Sequence, residues 1–167
     1  MERPGRAIGI GLAVALAWLT PASFASDRVV GVASVIDGDT IAIHGIRIRL
    51  HGIDAPESAQ RCIDASDRPW PCGRRAAFAL ADRIGQSTIS CRRTDTDRNG
   101  RVLAVCFLGR EDLNAWMVGS GWAVAFRRYS TDYVAREERA KARRAGILAS
   151  RFVMPWDWRR GERIMQQ

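Results

Sequence analysis

Asp37-Gly38-Asp39-Thr40-Ile41-Ala42-Ile43-His44-Gly45-Ile46-Arg47-Ile48-Arg49-Leu50-His51-Gly52-Ile53-Asp54-Ala55-Pro56-Glu57 is the stretch around which the remaining residues arrange themselves. Its apolar residues alternate, Ile41 and Ile43, then Ile46, Ile48 and Leu50, which is the period of a half-buried strand pair. His44-Gly45 makes a two-residue turn between the two runs. Counting outward from that turn places Ile43 opposite Ile46, Ile41 opposite Ile48 and Thr40 opposite Arg49, and opposed residues share a face. The isoleucines then face a core, and Thr40 and Arg49 face the other way. A strand pair that carries a cation beside two flanking carboxylates on its non-core face suits a phosphate and a metal.

The chain around this hairpin has 167 residues, enough for one domain with a real core and too few for two. Its formal charge is +8 and its pI about 10.5, almost all from arginine, since Lys141 is the only lysine. A basic surface points to a polyanionic partner: nucleic acid, anionic lipid or an acidic polysaccharide. Residues 1–25 read as a secretory signal peptide, with Arg3 and Arg6 as the basic region, Ala7 to Leu19 as the apolar region and Ser23-Phe24-Ala25 before the cleavage point. Glu2, Arg3 and Arg6 together carry +1, so the remainder, residues 26–167, is still basic at +7. The expected product is an exported monomer, periplasmic or extracellular, without stable membrane association once the signal is removed. In an oxidising compartment the four cysteines are expected to pair. Three connectivities exist for Cys62, Cys72, Cys91 and Cys106.

Upstream of the hairpin, Arg28 to Ile36 reads as a strand leading into the Asp37-Gly38-Asp39 turn. Downstream, residues 58–73 read as a long loop that a Cys62–Cys72 bridge would cinch, worth roughly 2–3 kcal/mol of loop entropy. Gly73 to Ile84 has helical spacing, with Ala76, Ala77, Leu80, Ala81 and Ile84 on one face. Thr88–Arg93 and Arg101–Leu108 read as strands joined by the turn Asp97-Arg98-Asn99-Gly100. That four-residue loop sets Cys91 across from Cys106, which favours the Cys91–Cys106 pairing. Glu111–Val118 and Asp132–Arg144 read as two further helices, and Trp122–Phe126 as a short strand or loop. The tail, with Phe152, Pro155, Trp156 and Trp158, is expected to pack on the body, because the aromatics would otherwise be exposed. The expectation is an α+β fold: a small Greek-key barrel with about three helices.

The Asp-Gly-Asp-Thr turn at 37–40, the segment Arg49-Leu50-His51-Gly52-Ile53-Asp54-Ala55-Pro56-Glu57, and Asp97-Arg98-Asn99-Gly100-Arg101 together resemble the staphylococcal nuclease family, over about Val29 to Arg144. The resemblance implies a five-stranded OB-type Greek-key β-barrel and endonucleolytic hydrolysis of DNA and RNA that leaves 3′-phosphate ends. It implies that Asp39, Asp54 and the backbone carbonyl of Ala55 hold Ca2+, that Glu57 orients or deprotonates the attacking water, and that Arg49 and Arg101 bind the scissile phosphate. The chemistry agrees: oxygen ligands suit calcium, and so few of them imply weak affinity, roughly 10⁻⁴–10⁻³ M. Arginine forks grip two phosphate oxygens and stay charged. Ala55 replaces a frequent threonine. Phe126-Arg127-Arg128-Tyr129 stands where tyrosines commonly meet the substrate base, so Phe126 and Tyr129 are the candidate base contacts. Leu148 stands where a tryptophan is usual, leaving Trp156 or Trp158 to supply that packing.

Taken singly, each feature has an ordinary structural explanation: a turn, a solvated loop charge, surface arginines. His44 and His51 are read as structural. Two rival functions use the same basic surface: a non-catalytic nucleic-acid-binding module on the same barrel, and an envelope protein held to anionic lipid or polymer. The complete set Asp39, Arg49, Asp54, Glu57 and Arg101 argues against both, since neither rival needs it.

Overall fold

A computed structural model describes residues 27–164; the expected signal peptide lies outside the described residues. The strands are β1 (Arg28–Val32), β2 (Ser34–Val35), β3 (Thr40–Ile43), β4 (Ile46–Leu50), β5 (Ile53–Asp54), β6 (Cys62–Ile63), β7 (Pro69–Trp70), β8 (Thr88–Thr96), β9 (Val102–Leu108), β10 (Glu111–Asp112) and β11 (Val124–Ala125). The helices are α1 (Cys72–Ile84), α2 (Leu113–Gly119), α3 (Val134–Ala142) and α4 (Pro155–Arg159), with a 3₁₀ turn at Gly146–Ala149.

The main sheet runs β1-β8-β9-β4-β3-β2, with β10 beside β9. Its two ends, β1 and β2, are one stretch of chain interrupted at Ala33. One strand thus serves β8 on one side and β3 on the other, and the sheet curls round on itself. Counted this way, β1–β2, β3, β4, β8 and β9 are the five long strands expected of an OB-type barrel, and the α+β assignment holds. The β4–β9 pairing is parallel, with Arg49 beside Leu103.

The central hairpin has the expected register: Thr40 opposite Arg49, Ile41 opposite Ile48 and Ile43 opposite Ile46. His44 and Gly45 both adopt positive φ, 51° and 79°, as a two-residue hairpin turn requires. Ile41, Ile43, Ile48 and Leu50 are buried, together with Leu80 and Ile84 of α1 and Leu113 and Met117 of α2. Ile46 departs from expectation. It stays exposed, because it follows the turn directly and lies beyond the reach of the helices that cover the rest of this face.

The β8–β9 hairpin reaches the expected Cys91–Cys106 pairing by an unexpected route. Thr96 faces Val102 and Asp95 faces Leu103, so the loop is one residue longer than anticipated; a bulge between Arg93 and Asp95 restores the register, and Cys91 faces Cys106. An extra residue on one strand is what such a bulge absorbs. Both expected disulfides, Cys62–Cys72 and Cys91–Cys106, are formed.

The expected loop at 58–73 contains a small hairpin, β6 with β7, and the disulfide ties it to the first residue of α1. Around it sits a second, smaller core: Cys62, Cys72, Val124 and Ile147, flanked by Trp70, Trp122, Leu148, Phe152, Met154 and Trp156. The tail is anchored there as expected. Ile63 and Arg151 exchange two backbone hydrogen bonds of 2.9 Å, and Trp70 Nε1 donates to Ser150 Oγ at 3.1 Å. Trp156 stacks on Phe126 and so supplies packing in this region, while Trp158 lies under the Arg163 guanidinium. Helix α4 itself was not expected. Pro155 at its first turn was the available signal. Among the described residues, no helix is long and apolar enough to cross a membrane.

Candidate active site

The pocket is built on the edge where β3, β4 and β5 meet. Asp39 lies just before β3 and Arg49 near the end of β4, so the hairpin register sets them side by side. The Leu50 N–H donates to the Asp39 carbonyl at 2.8 Å and closes this end of the hairpin. Gly52, at φ 75°, then reverses the chain into β5. Asp54 of β5 pairs with Val124 of β11, and its side chain is fully buried. Asn114 of α2 fixes the same corner: its Nδ2 donates to the carbonyls of His51 and Ala104, and its Oδ1 accepts from the Cys106 N–H. Sequence reasoning missed Asn114, a polar residue on the inward face of an apolar helix.

Four of the five predicted side chains converge. Arg49 Nη2 lies 2.5 Å from Asp54 Oδ1 and 3.0 Å from Asp39 Oδ2. Asp39 is further held by the Thr40 hydroxyl, which donates to Oδ1 at 3.0 Å, and by the Ala55 N–H, which donates to Oδ2 at 3.1 Å. Asp37 Oδ1 accepts from the Asp39 N–H at 2.9 Å and shapes the preceding turn. Glu57 joins through a residue that sequence reasoning did not single out. Arg159, from the last turn of α4, donates from Nη1 to Glu57 Oε1 at 2.7 Å. The same guanidinium grips Asp54 with both arms, Nη2 to Oδ2 at 2.6 Å and Nη1 to Oδ1 at 2.9 Å.

Arg101 is placed differently. It stands one residue ahead of β9, whose Val102 is registered with Ile48 of β4. Its backbone N–H and Nε both donate to Asp97, at 2.9 and 2.7 Å. It is therefore tied to its own turn, whereas Arg49 is tied to the aspartates. These hydrogen bonds hold the Asp97 carboxyl below the usual carboxylate range against the small opposing effect of desolvation.

Glu57 sits where two pieces of chain touch. A Cβ on Gly73, at the start of α1, would lie 1.7 Å from the Glu57 carbonyl oxygen, so only glycine permits this approach. Gln60, fully buried, accepts from the Glu57 N–H through Oε1 at 3.3 Å and donates from Nε2 to the Val153 carbonyl at 2.6 Å. Both residues passed unnoticed in the sequence, since a lone glycine and a lone glutamine in a loop carry no pattern.

Electrostatically the pocket is short of positive charge. Burial pushes the Asp39 carboxyl well above its ordinary range; Arg49 pulls it down, and Asp37 and Asp54 push it up again. Burial works against the charge on Arg49 and on Arg159, but their carboxylate partners outweigh it and raise both guanidiniums. Asp37, Asp39, Asp54 and Glu57 thus share two guanidiniums. An all-oxygen set with surplus negative charge fits a hard divalent cation that completes its shell with water. Asp39 and Asp54 are the carboxylates placed to hold one; among the described residues, no cluster of three or more His, Cys, Asp or Glu has the form of a metal cage.

Phe126 and Tyr129 lie next to this pocket in the chain's spatial order, because the Phe126 N–H donates to the Gly52 carbonyl at 2.9 Å. Their rings meet edge-on at 5.0 Å, and Tyr129 is exposed. Phe126 and Trp156 line a surface hollow of about 360 Å³ with Arg127, Arg128, Met154 and Arg160. Arg127 is held at 2.7 Å by Glu137, which is buried in α3.

A family model described as staphylococcal nuclease homologue matches residues 47–150. The chain belongs to the staphylococcal nuclease family. Relatives agree with the assignment. The chain is 38% identical over 144 residues to the succinoglycan biosynthesis protein ExoI of Rhizobium meliloti, covering 83% of this chain and 74% of that one. It is 33% identical to an uncharacterized endonuclease of Haemophilus influenzae, over 80% of this chain and 74% of that one. It is 32% identical to a micrococcal nuclease of Shigella flexneri, over 79% and 80%. Staphylococcal nuclease family membership, with endonucleases among the relatives, supports a nuclease function for the chain.

Proposed function

We propose that the protein is an exported, calcium-dependent endonuclease that hydrolyses phosphodiester bonds of DNA and RNA and leaves 3′-phosphate ends. The observation that carries this reading is the ion-pair cluster on Asp54, where Asp39, Arg49 and Glu57 of a nuclease-family chain are joined within hydrogen-bonding distances.

A phosphodiester resists attack because it is anionic, so the pocket must neutralise it, aim a water in line and hold the charge of the five-coordinate transition state. Calcium, held by Asp39, Asp54 and the Ala55 carbonyl, would supply positive charge to a phosphate oxygen. Arg49 is placed to bind the phosphate, since both of its ion pairs run through Nη2 and the rest of its fork is left for phosphate oxygens. Glu57, one-third exposed, can accept a proton from a water that enters from solvent. Arg101 reaches the phosphate from the neighbouring strand after exchanging its Asp97 contact. Phe126 and Tyr129 offer aromatic faces for the adjoining base. The two disulfides suit an oxidising compartment outside the cytosol.

The test is incubation of the oxidised protein with plasmid and with RNA, in calcium and in chelator, followed by end-group analysis. Calcium-dependent cleavage with 3′-phosphate ends is expected. Cleavage that persists in chelator removes calcium from the reading; retained binding without cleavage makes the chain a binding module.

A further inference from the structure

Arg159 occupies the space a cation would enter. Both Asp54 oxygens are engaged by its fork, and Glu57 is neutralised by the same Nη1 atom. Paired forks of this kind are among the stronger charge-assisted contacts. Arg159 arrives from a remote part of the chain, 105 residues beyond Asp54. Its helix is held in place independently, by Trp156 stacked 5.3 Å from Phe126 and by the Gln60–Val153 bond. The guanidinium is about one-third exposed, whereas Asp54 beneath it is sealed, so Arg159 covers the solvent side of the carboxylate. A divalent ion on Asp54 would share that carboxylate with a guanidinium, and like charges a few ångströms apart in a half-buried pocket repel strongly.

We propose that Arg159 is an autoinhibitory contact: a tethered cation that competes with the divalent ion for Asp54 and Glu57 and swings away when the ion binds. The proposal rests on the reading of this pocket as a calcium site. Arg159 keeps the metal-free pocket neutral and lowers the affinity of the pocket for calcium. It lies far outside the motifs that define the carboxylates, so it sets the calcium threshold without altering the ligands themselves.

The experiment is calorimetric calcium titration of the full oxidised protein as wild type, Arg159→Ala, Arg159→Lys and Asp54→Ala, with thermal unfolding in chelator and in calcium as a second readout. Arg159→Ala is expected to bind calcium about tenfold more tightly than wild type, to unfold earlier in chelator, and to gain more from calcium. Arg159→Lys keeps the charge and loses the fork, so it falls between the two; it carries the test if the alanine variant does not fold. Asp54→Ala should bind no calcium. Unchanged or weaker affinity in both Arg159 variants, with binding still dependent on Asp54, overturns the autoinhibitory role and leaves the calcium site standing. If wild type and all variants fail to bind calcium, the calcium reading itself falls, and this inference with it.

Discussion

Asp39 and Arg49 stand on or beside paired strands, whereas Glu57 and Arg159 stand on a loop and on a five-residue helix. The first pair is held by the β3–β4 ladder, the Leu50–Asp39 bond and the main core directly behind it. The second pair is held by a few contacts from distant residues: Gly73 against Glu57, Gln60 to Val153, Trp156 on Phe126 and one disulfide. Segments held by few buried contacts open at lower free energy than the ladder they rest on. The strand half is therefore suited to fix charge, and the loop half to move it.

Four substitutions sharpen or break this contrast. The largest effect is expected for Arg49→Ala, which should lower plasmid cleavage by about 10²–10³-fold, the usual loss for one donor to a developing anion. Far-ultraviolet circular dichroism should show the barrel intact; a collapsed fold would mean that the strand half depends on the ion pairs. Next, Cys62→Ser with Cys72→Ser should cost about 2–3 kcal/mol in urea unfolding. It should also expose the 58–72 region to protease before the barrel opens. Simultaneous loss of both regions would erase the distinction between the two halves. Gly73→Ala comes third. Its new methyl collides with the Glu57 carbonyl, costs about 1–3 kcal/mol, and should reduce cleavage well beyond what the stability loss explains. The smallest effect belongs to Ile46→Thr on the exposed end of the hairpin, within about 0.5 kcal/mol of wild type by the same urea measurement.

What could be read from the sequence follows the same division. The hairpin register was legible because period-two alternation and a His-Gly turn specify it within a dozen residues. Its outcome, Thr40 facing Arg49, locates the strand half of the pocket. The Cys91–Cys106 pairing was legible only in its result: the assumed loop was one residue short, and the bulge after Arg93 compensated. No local pattern marks a bulge of this kind, because its position is settled by register on both sides. Arg159, Gln60, Gly73 and Asn114 were not legible. Each acts on a partner distant in sequence, and arginine is so abundant in this chain that one more near the end draws no notice. Ile46 shows the opposite failure, since alternation assigned it to a core that ends one residue earlier.

The bond from Gln60 to Val153 spans 93 residues. Glu57 therefore rests on ground that is completed only when nearly the whole chain has been synthesised. A ribosome-bound fragment ending before Val153 can form the hairpin and much of the barrel, yet the turn beneath its glutamate lacks a keystone. Competence to cut arrives last, after the polypeptide has left the ribosome, so the unfinished chain is disarmed by the order in which its residues emerge.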